Sequence, residues 1–585
     1  MSELNPPLPW PIRPRDPEAC AALAGAAKVP EPVATLLLNR DITTPEAARA
    51  FLSPTLADLP SPFLMQDMEE AMTLLIETIR TRQPIVIYGD YDVDGLTGSA
   101  MLLLFLRQAG ATVTAFQPDR LTDGYGLHAH LLEKLRQELP AGGTPLLITV
   151  DCGITSHGAV TRARELGFRV LVTDHHQPEA ALPAADAILN PHRADCPFPF
   201  KGMAGAGVAF YLIMGLRSRL TTEGAWQTPP NLKEYLDFVA LGTVADMVEL
   251  TGVNRVLTKA GLEVLSQRKR AGLASLCEIA GLGATIRAED IAFQLAPRLN
   301  AASRLGSAAT AFRLLTTGDA EEAYQLASAL DQANQERRKL AASVYDAVRP
   351  QAEAAVRQGK GMLIFADASW HHGVLGIVAS RLSREFQRPA LIFAVREGVA
   401  RGSGRSVGGI DLLGMLECGA EYLQEYGGHP MALGATLAAA DLAEFTATME
   451  RVAAMVRPED RPAFTVELVP EGKELDELLA WYPHLEPFGA GNPEPLLAGR
   501  AVPQDWKIVG GRHARFRWPV NGRGYHDAIL FNLPETEPKE QPNRPMDFAF
   551  SLRRNLYQGR EKWQLHGKAL HFITSCFFVI LFYFT

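Results

Sequence analysis

The chain has 585 residues, of which 47% are apolar and 21% charged, and its formal net charge is −9. That balance is ordinary for a folded protein and excludes a disordered, fibrous or uniformly basic one. At roughly 150 residues per domain it leaves room for about four domains.

Residues 1–60 read as a helical lead-in punctuated by prolines, with no apolar stretch of the signal-peptide kind. From Pro84 the pattern changes to short apolar runs, each followed by a helical stretch: 84–88, 145–150 and 168–173. Such alternation predicts βαβ units in a parallel sheet, here assigned to a domain over 61–318. Residues 319–358 read as one long polar helix, free of glycine up to Arg357, that connects to a second α/β block over 359–457 with strands near 361–365 and 389–393. Over 458–570 short strands with Gly and Pro turns suggest a small β-barrel. Between Arg500 and Leu570, 13 Lys/Arg stand against 7 Asp/Glu, interleaved with Trp506, Phe516, Trp518, Tyr525, Tyr557 and Trp563. Cations beside aromatic rings suit a single nucleic-acid strand, the cations tracking phosphates and the rings stacking bases. A barrel with core aromatics and a solvated basic face is the alternative. An atypical apolar tail closes the chain at 571–585. Its run from Phe572 to Thr585 is 14 residues, short of the roughly 20 that span a bilayer, so no membrane partner is expected. The six cysteines (Cys20, Cys152, Cys196, Cys277, Cys418 and Cys576) contain no CxxC pair. They are too sparse for a disulfide scaffold, and a reducing, cytoplasmic setting is expected.

The early strands end in acids. The run 85–88 leads into Gly89-Asp90-Tyr91-Asp92-Val93-Asp94, 147–150 into Asp151, and 170–173 into Asp174-His175-His176; a fourth apolar run, 238–245, leads into Asp246. In open parallel sheets ligands bind beyond the carboxyl ends of the strands, so these acids should converge. A carboxylate cluster repels itself unless cations occupy it. Carboxylates with imidazoles and no thiolates suit Mg²⁺ or Mn²⁺, and this many acids suits two ions. The opening Asp90-x-Asp92-x-Asp94-Gly95 also matches an EF-hand loop, but the twelfth position is Met101 and a strand precedes it.

In combination these segments resemble the successive motifs of the DHH phosphoesterase superfamily and, within it, the RecJ single-stranded-DNA exonucleases, from about residue 30 to about 565. Thr122–Leu127, Leu189–His192, Gly242–Met247, Pro297–Gly306, Trp370–Val374, Gly402–Arg405, Gly427–Pro430 and Pro487–Pro493 are similar too. The resemblance implies a parallel-sheet DHH domain, a second α/β DHH-associated domain joined by the long helix, and an OB-fold. It implies that Asp90, Asp92, Asp151, His175 and Asp246 ligate two Mn²⁺ or Mg²⁺ ions, Asp151 bridging. Asp94 would lie nearby, His176 would ligate or face the scissile phosphate, and Asp174 would orient a histidine. His429, Arg405, Ser403 and Arg401 would hold substrate phosphates. Arg298, Asn300 and Arg304 would line the DNA path, with a structural salt bridge as the alternative, and Trp518 would contact the strand. The implied activity is 5′→3′ hydrolysis of single-stranded DNA in repair and recombination, by a monomer working with a helicase and a single-strand-binding protein. Hydrolysis of short oligonucleotides or cyclic dinucleotides is the second reading. Two departures stand out: Tyr88 where some relatives carry histidine, and the apolar tail.

Overall fold

The computed structural model describes residues 7–572, except 141, 227, 457–463, 472, 521–523, 534–541 and 558–559. They divide into two compact units: 53–340 with 487–493, and the remainder.

The first unit is built on five parallel strands, β1 (Ile85–Gly89), β2 (Val113–Phe116), β3 (Leu146–Val150), β4 (Arg169–Thr173) and β5 (Ala187–Leu189), in the order β2-β1-β3-β4-β5. β1 and β3 are buried at every position, as strands covered on both faces by helices must be. One apolar core forms under helices Met68–Arg80, Val93–Gln108, Gly205–Thr222 and Leu236–Ala245. The opposite face packs against Ala129–Glu138 and His157–Glu165. From β1 the chain moves outward to β2 and then returns to the other side of β1 as β3. This order reverses direction between β1 and β3, the place where a crevice opens in sheets of this type. The run 238–245, grouped above with the strand ends, is helical: it lies within Leu236–Ala245, and Asp246 is the C-cap. A buried apolar run of this length has no periodicity to separate strand from helix.

In the second unit a five-stranded sheet joins β6 (Leu363–Asp367), β7 (Ala390–Arg396), β8 (Val399–Arg405), β9 (Leu423–His429) and β10 (Ala432–Ala438) in the order β6-β7-β8-β10-β9. A six-stranded sheet joins β11 (Leu497–Ala501), β12 (Gln504–Val509), β13 (His513–Val520), β14 (Gly524–Leu530), β15 (Met546–Tyr557) and β16 (Arg560–Phe572) in the order β11-β15-β16-β14-β13-β12. The lead-in helices Pro17–Ala27, Glu31–Leu38 and Pro45–Leu52 belong to this unit as well. Ile12 pairs with Val466, Trp10 packs on Phe464, and a partly buried Arg40–Glu467 ion pair (2.9 Å) ties the lead-in to the chain before β11. The boundary at 340/341 falls inside one helix, Ala320–Arg357, which continues through Pro350. Of the apolar tail, His571 and Phe572 complete β16, and 573–585 lie outside the described residues. Among the described residues no single helix is long and apolar enough to cross a membrane.

Candidate metal centre and nucleic-acid surfaces

Strand register brings the acids into line. Gly89 pairs with Val150, Val150 with Thr173, and Thr173 with Leu189. The next residue of each strand extends the ladder by one bond: Asp90 N donates to Val150 O (3.1 Å), Asp151 N to Thr173 O (3.0 Å) and Asp174 N to Leu189 O (3.1 Å). Three carboxylates thus leave the sheet at one level. Asp92 caps helix Val93–Gln108, its Oδ1 accepting from Asp94 N (3.0 Å) and Gly95 N (3.2 Å). Asp94, fully buried, accepts from Gly205 N (2.5 Å) and Ala206 N (2.8 Å) at the start of helix Gly205–Thr222. These donors need bare backbone around them. A Cβ on Gly205 would lie 2.8 Å from Asp151 Cβ, and one on Gly242 would lie 2.5 Å from Asp94 Oδ1.

Onto this ring comes His175, whose Nε2 is 3.0 Å from Asp151 Oδ1, 3.6 Å from Asp246 Oδ2 and 3.9 Å from Asp94 Oδ2. Ligand atoms of Asp90, Asp92 and Asp151 lie within 4.8 Å of one another, as do those of Asp94, His175 and Asp246, and those of Asp151, His175 and His176. Asp90 Oδ1, Asp151 Oδ1 and His175 Nε2 are buried and accept or donate no hydrogen bond. Orphaned atoms of this kind are costly in a folded protein unless something else binds them. Hard oxygens, one neutral nitrogen and no thiolate fit a pair of divalent cations such as Mg²⁺ or Mn²⁺. Burial, reinforced by neighbouring acids, pushes the Asp90, Asp94 and Asp151 carboxyls well above their ordinary range. Burial also lowers the His175 imidazole, keeping it in its ligating form.

Asp174 is different. Despite burial, which would raise it, its carboxyl is held below the ordinary range by hydrogen bonds from His176 and from the backbone. Its Oδ1 accepts from His175 N (2.7 Å), His176 N (3.1 Å) and His176 Nδ1 (2.7 Å), and its Oδ2 from Ile154 N (3.0 Å). Burial acts to lower the His176 imidazole, but the bond and charge of Asp174 outweigh it and push it up to about 9. Although His176 Nδ1 lies 3.8 Å from Asp151 Oδ1, that nitrogen is already committed to Asp174, which leaves Nε2 for an incoming group.

Sequence reasoning gave no role to three further residues. The Tyr125 hydroxyl donates to Asp151 O (3.2 Å) and lies 3.0 Å from His176 Nδ1. Asn190, buried, donates to His176 O (2.8 Å). The Arg120 guanidinium lies 5.0 Å from the Tyr91 ring, where its charge acts against the rise of Asp90. Tyr125 and Asn190 sit in segments singled out for their resemblance, which was the only signal available.

The other expected residues separate. Arg401, Ser403 and Arg405 alternate along β8. Ala432 pairs with both Arg405 and His429, and Gly434 with both Ser403 and Gly427. All four residues therefore share one face of the sheet, with Arg405 and His429 two strands apart, roughly 10 Å. Asn300 and Arg304 lie on helix Ala296–Leu305, and the charge of Arg304 is felt at Tyr91 beside Asp90. Arg298 occupies the salt-bridge position: it is buried, its Nε 2.9 Å from Asp331 Oδ1, and its Nη1 donates to Gln294 O (2.8 Å). Trp518 corrects an expectation. It is buried with Phe516 and Phe548 because β13 alternates, sending Ala514, Phe516 and Trp518 inward and Arg515 and Arg517 outward. Trp506 is buried too. Of the aromatic residues singled out in this block, Tyr525 and Trp563 lie beside cations, Tyr525 5.3 Å from the Arg517 guanidinium and Trp563 4.9 Å from that of Arg554. The Tyr557 side chain lies outside the described residues.

A parallel sheet with acids and an imidazole converging on orphaned ligand atoms at its switch point defines a phosphoesterase centre of the DHH class. Residues 84–243 match the DHH family N-terminal domain, 359–455 the DHHA1 domain and 471–569 the RecJ OB domain. The single-stranded-DNA-specific exonuclease RecJ of Bacillus subtilis is 35% identical over 567 residues, covering 95% of this chain and 70% of that protein. Its Escherichia coli counterpart is 36% identical, covering 86% and 89%. The crystal structure of RecJ in complex with Mn²⁺ from Thermus thermophilus superposes with a TM-score of 0.80 at 32% identity, covering 96% of this chain and 78% of that one. A Mg²⁺ complex of the same protein gives 0.74. The chain belongs to the RecJ family.

Proposed function

We infer that this chain is a metal-dependent exonuclease that degrades single-stranded DNA from its 5′ end to mononucleotides, in DNA repair and recombination. The observation that carries the reading is the convergence of Asp90 Oδ1, Asp151 Oδ1 and His175 Nε2, buried and without hydrogen-bond partners, at the β1/β3 switch point. Two Mn²⁺ or Mg²⁺ ions held there would supply a hydroxide nucleophile and stabilise the charge of the in-line transition state. Asp90, Asp92 and Asp151 would hold one ion and His175 and Asp246 the other, with Asp151 available to both.

The remaining residues place the substrate. Asp94 is fixed by the Gly205 and Ala206 amides and keeps the two halves of the site in register. Asp174 holds His176 by Nδ1, so that the imidazolium donates from Nε2 to a phosphoryl oxygen. Arg120 and Arg304 add positive charge on the Tyr91 side. We assign hydrolysis to residues 61–318, and grip on the strand to the shared face of Arg401, Ser403, Arg405 and His429 in 359–457 and to the Arg515, Arg517 and Tyr525 face in 458–570. The family likeness supports a monomer that works in the cytoplasm beside a helicase and a single-strand-binding protein. The five described cysteines, all free, fit a reducing compartment.

The test uses single-stranded DNA labelled at either end. With Mn²⁺ the 5′ label is released at once as mononucleotide while the 3′-labelled strand shortens gradually, and EDTA or Asp151→Asn abolishes both. Cleavage confined to dinucleotides would refute the assignment.

A further inference from the structure

The segment Pro487-Phe-Gly-Ala-Gly-Asn-Pro493 belongs to the compact unit that holds the metal centre, although its neighbours in sequence on both sides belong to the other unit. It is a tight turn. Gly489 N donates to Asn492 O (2.9 Å), Asn492 N to Gly489 O (3.2 Å), and the fully buried Asn492 side chain to Pro487 O (2.8 Å). The turn grips residues 249–251. Ala490 O accepts from Leu250 N (2.8 Å). Gly491 adopts φ +70°, and a Cβ there would lie 2.8 Å from Glu249 Cβ and 3.1 Å from Thr251 Cγ2. A Cβ on Gly489 would lie 2.8 Å from Leu250 Cδ1.

The gripped residues follow Asp246 closely. Asp246 ends helix Leu236–Ala245, and Met247 turns the chain at φ +64°. Nothing regular supports the chain from there to helix Gly252–Ser266, so the turn and Asn254 do. Asn254, fully buried, donates through Nδ2 to Glu249 O (2.9 Å) and to Gly202 O (2.6 Å). Gly202 lies three residues before Gly205, whose amide holds Asp94. One scaffold therefore steadies the exit from Asp246 and the approach to the amides around Asp94. Asp90 and Asp92 hang instead from β1 and the cap of helix Val93–Gln108.

We propose that the 487–493 turn is a positioning element for the metal centre: by fixing 249–251 it places Asp246, and so sets the affinity of the ion shared by Asp246 and His175 while leaving the ion at Asp90 and Asp92 unchanged. The proposal rests on Asp246 being a ligand. Residues that orient ligands in this way change metal affinity by about 10- to 100-fold.

The test measures Mn²⁺ binding directly, by electron paramagnetic resonance of the free ion, on the full chain. Wild type, Asn492→Ala, Gly489→Ala and Asp246→Asn are titrated, with Trp518→Ala as a destabilised control and the metal-free Tm of each recorded. Wild type binds two ions. Both turn variants keep one at wild-type affinity and bind the other about 10- to 100-fold more weakly, the same ion that Asp246→Asn loses, whereas the control keeps both. Two ions bound as in wild type, or both weakened together, would overturn the proposal. Should Asn492→Ala not fold, Gly489→Ala decides, because its added methyl, 2.8 Å from Leu250 Cδ1 and 3.3 Å from Leu250 Cγ, presses on the gripped segment while leaving every hydrogen bond of the turn in place. If Asp246→Asn keeps both ions at full affinity, the ligand assignment itself fails, and the proposal with it.

Discussion

Asp174→Asn separates holding a metal from orienting a histidine. The carboxylate accepts four hydrogen bonds, three at Oδ1 and one at Oδ2. An asparagine can keep its oxygen toward His175 and His176, but its amide then faces the Ile154 N–H, donor against donor. A buried unsatisfied donor costs about 1–3 kcal/mol of stability. The bond from His176 Nδ1 stays but loses the carboxylate's charge, a weakening of about 1–1.5 kcal/mol. If His176 acts only in the cleavage step, that weakening becomes a rate decrease of roughly 5- to 12-fold. Losing the carboxylate also lets the imidazole fall from about 9, so the alkaline limb of the rate profile moves to lower pH. Single-turnover release of the 5′ label at saturating Mn²⁺ gives the rate, and a Mn²⁺ titration gives the stoichiometry. Two ions still bound with the rate reduced is the expected result. An unchanged rate, or the loss of one ion, would refute the orienting role.

Gly242→Ala drives a methyl to 2.5 Å from Asp94 Oδ1, which displaces Asp94 from its two amides; cleavage should fall about 100-fold for a shift of roughly 1 Å, read in the same assay. Trp518→Ala removes a buried ring from the Phe516–Phe548 cluster and should cost about 3–5 kcal/mol in denaturant unfolding, with strand affinity of the folded protein unchanged; lost binding at full stability would return Trp518 to the DNA surface. The buried Asp90, Asp94 and Asp151 carboxyls, raised in the folded metal-free chain, make it bind more protons than the unfolded chain does. Metal-free stability should therefore fall as pH rises above about 4, the unfolded carboxyl value. Mn²⁺ binds the ionised forms, so its Tm gain should grow between about pH 5.5 and about pH 8. A gain that shrinks over that range would contradict the ligand set.

Much of the centre was legible because parallel-strand ends share a level: acids after 85–89, 146–150 and 169–173 had to meet once those runs formed one sheet. Asp246 lies 3.6 Å from His175 as one of the converging acids, but from a helix end and not a strand end, since the apolar run 238–245 shows no period that separates the two. The short β2 and β5 carry too few residues to announce themselves. Trp518 and Arg517 are neighbours in sequence, and only the pleat of β13 decides that the ring goes inward and the cation outward. Arg298 met Asp331, 33 residues away, on a helix whose direction no local pattern fixes. The pairing of the lead-in with Val466 spans more than 450 residues, and nothing near Ile12 in the sequence points to it.

Anomalous diffraction from Mn²⁺-loaded crystals tests the central claim most directly. The expected result is two ions about 3.5–4 Å apart, one on Asp90 and Asp92, the other on His175 and Asp246, with Asp151 reaching both. A single ion, or two ions that Asp151 does not join, would contradict it.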